Sequence, residues 1–368
     1  MTSTSNSRLI SLDVLRGLTI AGMVIVNDPG SWSFVYPPLR HAEWNGATPT
    51  DLVFPFFLFF VGVSITLAYT KLVNKGADRK EMYKKLITRS LKIYFLGMLL
   101  WFVHRIPGVF TDFSFGDVRY AGVLQRIAVV YLAASLIFLN TNWKQQLKIG
   151  AGILVGYWII MAFIPVPGIG MPDLSVPKLN WANYLDSIAL PGSMYQKTWD
   201  PEGLLSTFPS IVNSIIGMLA GFLILSETDS SKKIMKLFLM GFLMFLAGNA
   251  WGWVFPINKH IWTSSFVLYT SGLASMALAT CIWLIDVKGY EKWAFLGKVY
   301  GANAITSYVL SGLLTMIFYR GLNKSFMSTL TEMGVQAELA SFLYALIYML
   351  IIFIPALILY RKKIFIKL

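Results

Sequence analysis

Apolar residues in this chain come in long unbroken runs separated by short polar stretches, not in the alternating or one-faced patterns of water-soluble strands and helices. Ten runs approach the about 20 helical residues needed to cross a hydrocarbon core of roughly 30 Å. They cover 9–27, 51–73, 88–105, 119–139, 147–165, 206–225, 234–255, 263–286, 298–319 and 337–360. The pattern predicts an all-α polytopic membrane protein, a bundle of about ten transmembrane helices forming a single domain over 1–368. The longest interruption, 166–205, carries Pro167, Pro172, Pro177, Pro191 and Pro201 among aromatic and polar residues, and loops of that length commonly have a task. No fixed-period repeat accompanies the runs, which disfavours the inverted-repeat architecture of many transporters.

Composition agrees with this reading. The chain is 56% hydrophobic and only 13% charged, with 26 Phe, 17 Tyr and 12 Trp, more apolar surface than a water-soluble fold of this length can cover. Its basic residues fall mainly on one side of the expected bundle. Lys71, Lys75, Arg79, Lys80, Lys84, Lys85, Arg89 and Lys92 follow the second run, with smaller groups at Lys232, Lys233 and Lys236, at Lys288, Lys292 and Lys298, and at Arg361 to Lys363. By the positive-inside rule both termini are cytoplasmic and 166–205 is extracytoplasmic. The net charge of +13 is then a topological excess that needs no nucleic acid, and the basic 71–92 stretch suits anionic lipid of the bilayer. No small-residue cleavage site follows the first run, so it reads as a retained helix and not a signal peptide. Cys281 is the sole cysteine, which excludes an intramolecular disulfide and a cysteine-type metal site. The histidines at 41, 104 and 260 lack ligand spacing, and no metal is expected.

One polar run breaks the apolar pattern: His41-Ala42-Glu43-Trp44-Asn45-Gly46-Ala47-Thr48-Pro49-Thr50-Asp51-Leu52-Val53-Phe54-Pro55. An imidazole, an indole, two carboxylates and a carboxamide at the end of a spanning helix are costly to desolvate, so the run reads first as a functional site. Each member also has a structural reading. His41 can be an interfacial histidine bonded to a loop carbonyl, Trp44 an interface anchor, and Asp51 the N-cap of the second helix, with Pro55 tolerated in its first turn. His104 and His260 read as interfacial.

The order of several motifs resembles the heparan-alpha-glucosaminide N-acetyltransferase family, within the transmembrane acyltransferases. The resemblance rests on Leu12-Asp13-Val14-Leu15-Arg16-Gly17, Met23 to Asn27, His41-Ala42-Glu43-Trp44-Asn45-Gly46 and Asp51-Leu52-Val53-Phe54-Pro55. Gly122-Val123-Leu124-Gln125-Arg126, Asp200-Pro201-Glu202-Gly203 and Pro256-Ile257-Asn258-Lys259 extend it along most of the chain. It implies an integral-membrane acetyltransferase that passes acetyl from cytoplasmic acetyl-CoA, as co-substrate and without a metal, to the amine of a glucosamine on the far side. It also implies that His41 is catalytic, that Asn27 lies close to it in the site, and that the protein is a dimer. The first span begins by Leu9, leaving no room for the luminal domain of the animal enzymes. The expectation is therefore a bacterial relative in an inner (plasma) membrane, without polymer recognition by such a domain.

The chemistry is consistent with those residues. Amide formation from a thioester needs a neutral amine, and imidazole, with an ordinary pKa near 6.5, can take the amine proton or accept acetyl itself. A carboxamide N–H of Asn27 or Asn45 can stabilise the developing oxyanion. Asp51 or Glu43 can fix the imidazole tautomer. Trp44 can stack on the sugar, and Asp200 and Glu202 can bind its ammonium and hydroxyls, or hold the long loop instead. Arg16 either pairs with Asp13 three residues away on one helix face or meets a CoA phosphate. Arg126, within an apolar run, either pairs with a carboxylate of another helix or meets CoA, with Gln125 beside it.

His41 is expected outside, whereas CoA is made inside. Either the pantetheine arm reaches through a cavity in the bundle or acetyl is relayed across. Two other classes share parts of the pattern: a transporter of a sugar or related small molecule, which would not consume acetyl-CoA, and a polysaccharide O-acyltransferase, whose product would be a base-labile ester.

Overall fold

A computed structural model of the chain describes residues 9–109, 114–319 and 321–366. Among the described residues the fold is all helical, with β-structure limited to isolated bridges. The helices are α1 (Ile10–Asn27), α2 (Val53–Asn74), α3 (Arg79–Val109), α4 (Val123–Asn140), α5 (Trp143–Phe163), α6 (Trp181–Ala189), α7 (Leu204–Ser226), α8 (Ser230–Gly252), α9 (Ser264–Cys281), α10 (Phe295–Ala302), α11 (Ala304–Phe318), α12 (Leu322–Glu332) and α13 (Ala337–Arg361). Among the described residues nine helices are long and apolar enough to cross a membrane, and the bent α10–α11 pair passes the same test only when its two parts are taken together. The protein is thus the polytopic helical membrane protein that the apolar runs predict.

Local chemistry explains where the pattern reads imperfectly. The run 298–319 is not one straight helix, because α10 and α11 meet at 86°. Asn303 leaves the helical conformation there (φ −133°, ψ 49°). Its side chain pairs instead with the C-terminal backbone, donating to the Ile364 carbonyl (3.0 Å) and accepting from the Ile366 N–H (2.8 Å). Periodicity cannot report a helix broken by so distant a partner. The 166–205 loop contains α6, whose first turn is capped by Asn180 accepting from the Asn183 N–H at 3.1 Å. Neither α6 nor α12 is apolar enough to appear among the ten runs.

Residue contacts group the chain into two compact units. The first comprises the chain up to Tyr36, Asp229–Leu239 and the chain from Ser275 onward. In it, α1 lies directly on α10. A Cβ at Gly17 would stand 1.9 Å from the Gly297 carbonyl oxygen, and one at Gly301 1.9 Å from that of Asp13. Backbone-to-backbone contact of this kind needs small residues, since no hydrophobic drive presses helices together within lipid. It gives the glycine after Arg16 a packing reason. At the end of α1, Asp28 is buried and accepts from Thr315 Oγ1 at 2.8 Å. Burial pushes its carboxyl up to about 7, against the lowering effect of the Thr315 bond.

The second unit contains Pro37–Thr228 and Met240–Ala274. Here α2 and α7 approach in the same way. A Cβ at Gly62 would meet the Ser214 carbonyl at 1.9 Å, and one at Gly217 that of Phe59 at 2.0 Å. The Ser214 hydroxyl donates to the Leu58 carbonyl (2.7 Å) and that of Thr66 to the Met218 carbonyl (3.0 Å). With α2 pinned to α7, the segment feeding α2, which begins near His41, has a rigid base.

Candidate active site

Two polar segments of the second unit meet: 41–52, leading into α2, and 256–263, leading into α9. The Gly46 N–H donates to the Ile257 carbonyl at 2.7 Å, with Gly46 at φ +105°, a conformation L-residues rarely adopt. Asn258, fully buried, organises the second segment. Its N–H donates to Thr263 Oγ1 (3.0 Å), its Oδ1 accepts from the Ile261 N–H (3.1 Å), and its Nδ2 donates to Asn45 Oδ1 (3.0 Å). Trp262 completes the lock at φ +53°, a costly backbone state for a bulky residue. It is held by its indole N–H on Asn213 Oδ1 (2.8 Å) and by edge contacts with Phe54 and Phe266. Below, Tyr157, Met161, Phe255 and Ile261 form a buried apolar floor, and the Tyr157 hydroxyl donates to the Ile261 carbonyl.

His41 sits on this frame. Its Nδ1 lies 2.6 Å from Asp51 Oδ1. A carboxylate at that distance fixes the proton on Nδ1 and leaves the lone pair on Nε2. Asp51 is the third residue of a 3₁₀ turn over Pro49–Leu52, with Thr48 as its N-cap, so it is not itself the cap of the second helix. Its Oδ2 accepts from the backbone N–H groups of Ala42 and Thr48 (both 3.0 Å) and from the Thr48 hydroxyl (3.1 Å). The Asp51 side chain is 1% exposed, whereas that of His41 is 39% exposed. The buried member orients the ring and the ring faces outward. Glu43, exposed on the same loop, is not the imidazole's partner.

Lys259 closes the group. Its Nζ lies 2.9 Å from His41 Nδ1, 3.4 Å from Nε2 and 3.4 Å from Asp51 Oδ1. Burial draws the ammonium below its ordinary range, and Asp51 and Glu202 oppose that. Next to it, the His260 Nε2–H donates to the Ala42 carbonyl at 3.0 Å, and burial disfavours its protonated form as well. His260 stacks on Trp44 (5.4 Å, 12° between planes), and Trp199 packs edge-on against both. The Trp44 indole N–H donates to the Leu174 carbonyl at 2.8 Å, so Trp44 is tied into protein on one face and along its N–H edge.

Asp200 and Glu202 have other partners. Arg119 forks onto Asp200, Nε to Oδ2 at 2.7 Å and Nη2 to Oδ1 at 2.6 Å, and reaches Glu202 Oε2 at 2.7 Å. Asp200 also accepts from the N–H groups of Tyr195 and Glu202. Burial alone would raise the Asp200 carboxyl, but the guanidinium outweighs it and holds it below the usual range. Glu202 goes the other way, with burial dominant. Asp186, pushed up to about 6 by burial, accepts from the N–H groups of Leu204 and Asp200 at the start of α7. Of the two roles open for Asp200 and Glu202, this geometry is that of holding the loop.

Arg126 is fully buried in α4 with its guanidinium 5.0 Å over the Trp262 ring. Its Nη2 donates to the Gly203 carbonyl (3.1 Å) and Ser206 Oγ (2.5 Å), while Nε and Nη1 have no acceptor among the described residues. No carboxylate pairs with it directly. Gln125, also buried, donates to Met98 Sδ at 3.6 Å. Arg16 belongs to the first unit, engaged with Asp13 (2.7 Å) and the Gly301 carbonyl (2.9 Å). Asn27 is exposed at the end of α1 in the same unit.

The structure therefore gathers His41, Asp51, Trp44, Asn45 and Glu43 around one short segment, and adds two residues that the sequence reading passed over. Lys259 stood only as the last residue of the Pro256–Lys259 motif, with no role assigned, and His260 as an interfacial histidine. Both lie in a polar break between apolar runs, the same signal that marked His41.

Comparison with known proteins agrees with the motif order. Residues 8–250 match the sequence signature of the catalytic region of heparan-alpha-glucosaminide N-acetyltransferase. The mouse (Mus musculus) heparan-alpha-glucosaminide N-acetyltransferase is 30% identical over 420 residues, covering 99% of this chain and 61% of the relative. The human (Homo sapiens) protein of that name is 30% identical over 417 residues, covering 98% and 60%. The chain thus spans about three-fifths of the length of these relatives. With the signature spanning residues 8–250, the His41 run included, and relatives 30% identical over nearly the whole chain, the chain belongs to the heparan-alpha-glucosaminide N-acetyltransferase family.

Proposed function

We propose that this protein is an integral-membrane acetyltransferase that moves acetyl from acetyl-CoA to the amine of a glucosamine-type sugar, with His41 as the reacting residue. The observation that supports this most is the pairing of an outward-facing imidazole with a buried, otherwise saturated carboxylate, His41 Nδ1 to Asp51 Oδ1 at 2.6 Å. In the neutral imidazole that arrangement puts the proton on Nδ1 and the lone pair on Nε2. Nε2 can attack the thioester carbon or take a proton from the incoming amine, and Asp51 stabilises the imidazolium formed either way. A metal is not required for either route.

The remaining roles follow from which groups have hydrogen-bonding capacity to spare. The family resemblance supports Asn27 as the proposed oxyanion donor, with Asn45 as the other candidate: its Oδ1 accepts from Asn258, but its Nδ2 keeps one N–H beyond a 3.4 Å contact with the Leu174 carbonyl. Glu43 is the carboxylate proposed to meet the sugar ammonium, since Asp200 and Glu202 are committed to Arg119. Trp44 offers the sugar its remaining face. Among the residues considered for CoA, Arg126 has two N–H groups without acceptors, whereas Arg16 and Gln125 are engaged. The proposed setting is a bacterial plasma membrane, with the donor on the side of the basic helix ends, the acceptor on the side of His41, and a homodimer as the assembly.

The test is transfer of labelled acetyl from acetyl-CoA to glucosamine by the purified protein in nanodiscs, comparing wild type with His41→Ala. Base-stable product from the wild type and none from a folded variant is expected. A base-labile ester would instead favour O-acylation, and uptake of sugar without acetyl-CoA consumption would favour a transporter.

A further inference from the structure

The two chemical routes open to His41 differ in what becomes of one proton. If the imidazole acts as base, it takes the amine proton itself. If it carries acetyl, the Nε2 lone pair is occupied when the amine attacks, and the amine must shed its proton elsewhere. The site restricts where. Asp51 accepts four hydrogen bonds from His41, Ala42 and Thr48, and a carboxylate so saturated is a poor proton acceptor. His260 spends its Nε2–H on the Ala42 carbonyl and one ring face on Trp44.

Lys259 remains. Its Nζ lies within 3.4 Å of both imidazole nitrogens. Its contact with Asp51 is a long one, 3.4 Å, to an oxygen already holding the His41 proton. An ammonium offers three donors, and this surrounding gives it few acceptors. We propose that Lys259 is the base of the acceptor half-reaction, receiving the amine proton on Nζ while His41 Nε2 carries the acetyl group. This inference rests on the acetyl-transfer function proposed above.

The steps balance as follows. His41 Nε2 bonds to the thioester carbonyl carbon, the C–S bond breaks, and CoA leaves as the thiolate. The acetylimidazolium keeps its Nδ1 proton against Asp51. The neutral acceptor amine then bonds to the carbonyl carbon, the C–Nε2 bond breaks with its electron pair returning to Nε2, and the proton shed by nitrogen passes to neutral Lys259. The ammonium is afterwards discharged to water or thiolate. The charged and titratable groups facing Lys259 are Asp51, His41, His260 and Glu202. Burial lowers the basicity of Lys259, while Asp51 and Glu202 oppose that.

Lys259→Arg separates this role from a structural one, because arginine gives Asp51 the cation that protonated Lys259 would but cannot accept a proton. Three readouts are taken on purified protein in nanodiscs: thiol released from acetyl-CoA without acceptor, acetyl transfer to glucosamine, and transfer to trifluoroethylamine. The last amine is so weakly basic that its adduct loses its proton to water unaided. The expected result is a thiol burst within about threefold of wild type, glucosamine transfer slowed about 100-fold, and trifluoroethylamine transfer slowed by less than about tenfold. Lys259→Met should behave alike, showing that the lost charge is not the cause. Equal slowing for both acceptors, unchanged glucosamine transfer, or no thiol burst in the wild type without acceptor would each overturn the inference while leaving the activity standing. No transfer by the wild type to either amine would overturn the activity itself.

Discussion

Two charged clusters of the second unit, His41–Asp51–Lys259 and Arg119–Asp200–Glu202, are built from the same kinds of side chain and finished differently. In the Arg119 cluster a forked guanidinium satisfies two carboxylates at 2.6–2.7 Å. Asp200 is 1% exposed, and its oxygens also receive backbone N–H groups. Both carboxylates are closed, held by the guanidinium through Nε and Nη2. In the His41 cluster only Asp51 is closed. The ring faces outward, and Lys259 meets Asp51 only at 3.4 Å. Buried ion pairs that satisfy one another hold a loop, whereas groups left with capacity facing an opening are available for chemistry.

The largest expected effect tests the open cluster. His41→Ala should lower acetyl transfer by about 1,000-fold or more with unchanged thermal stability, since the imidazole serves the reaction and its ring is not packed into the core. A loss of folding in this variant, read by size exclusion and melting, would erase the contrast. Next, Arg119→Ala should destabilise the protein by about 3 kcal/mol, because it strands two carboxylates. If instead it melts like wild type and loses only glucosamine affinity, then Asp200 and Glu202 face substrate after all. Asp51→Asn is expected to reduce transfer about 100-fold near neutral pH by releasing the Nδ1 tautomer, with little change in stability. Activity close to wild type would show that the carboxylate only supports the Thr48 turn.

A third carboxyl sharpens the comparison, because Asp28 is buried with no ion-pair partner among the described residues. Its folded value of about 7 exceeds the ordinary 3.8. The stability it contributes is thus present in full below pH 4 and is lost as pH rises through 7. Asp28→Asn, which keeps an acceptor for Thr315, should gain on wild type by an amount on the order of 3 kcal/mol between pH 5 and pH 8. Equal melting at both pH values would mean that a cation or water neutralises the site.

Much of this was legible along the chain. The ten apolar runs reappear as nine helices and a bent pair because burying a helix in lipid requires a continuous stretch of apolar residues, a local property. His41 and Asp51 were visible for the opposite reason, as polar groups too costly to place there without purpose. The partners were not visible. Lys259 lies 218 positions from His41, and Arg119 about 80 from Asp200, and nothing local distinguishes such a lysine or arginine from a charge that snorkels to water. Asp200 and Glu202 looked free because their cation lies at the far end of another loop.

The sequence by itself determined that the chain spans a membrane, roughly where, and which short run between spans sets an imidazole among polar groups, since each depends on residue types within one turn or one span. Only the tertiary structure decided which carboxylate holds His41, which charges neutralise one another, and where the helix over 298–319 breaks. Those outcomes depend on distances between groups far apart in sequence. Electrostatic and hydrogen-bond energies fall off within a few ångströms, so they are fixed only when packed backbones, such as Gly62 against Ser214, bring those groups together.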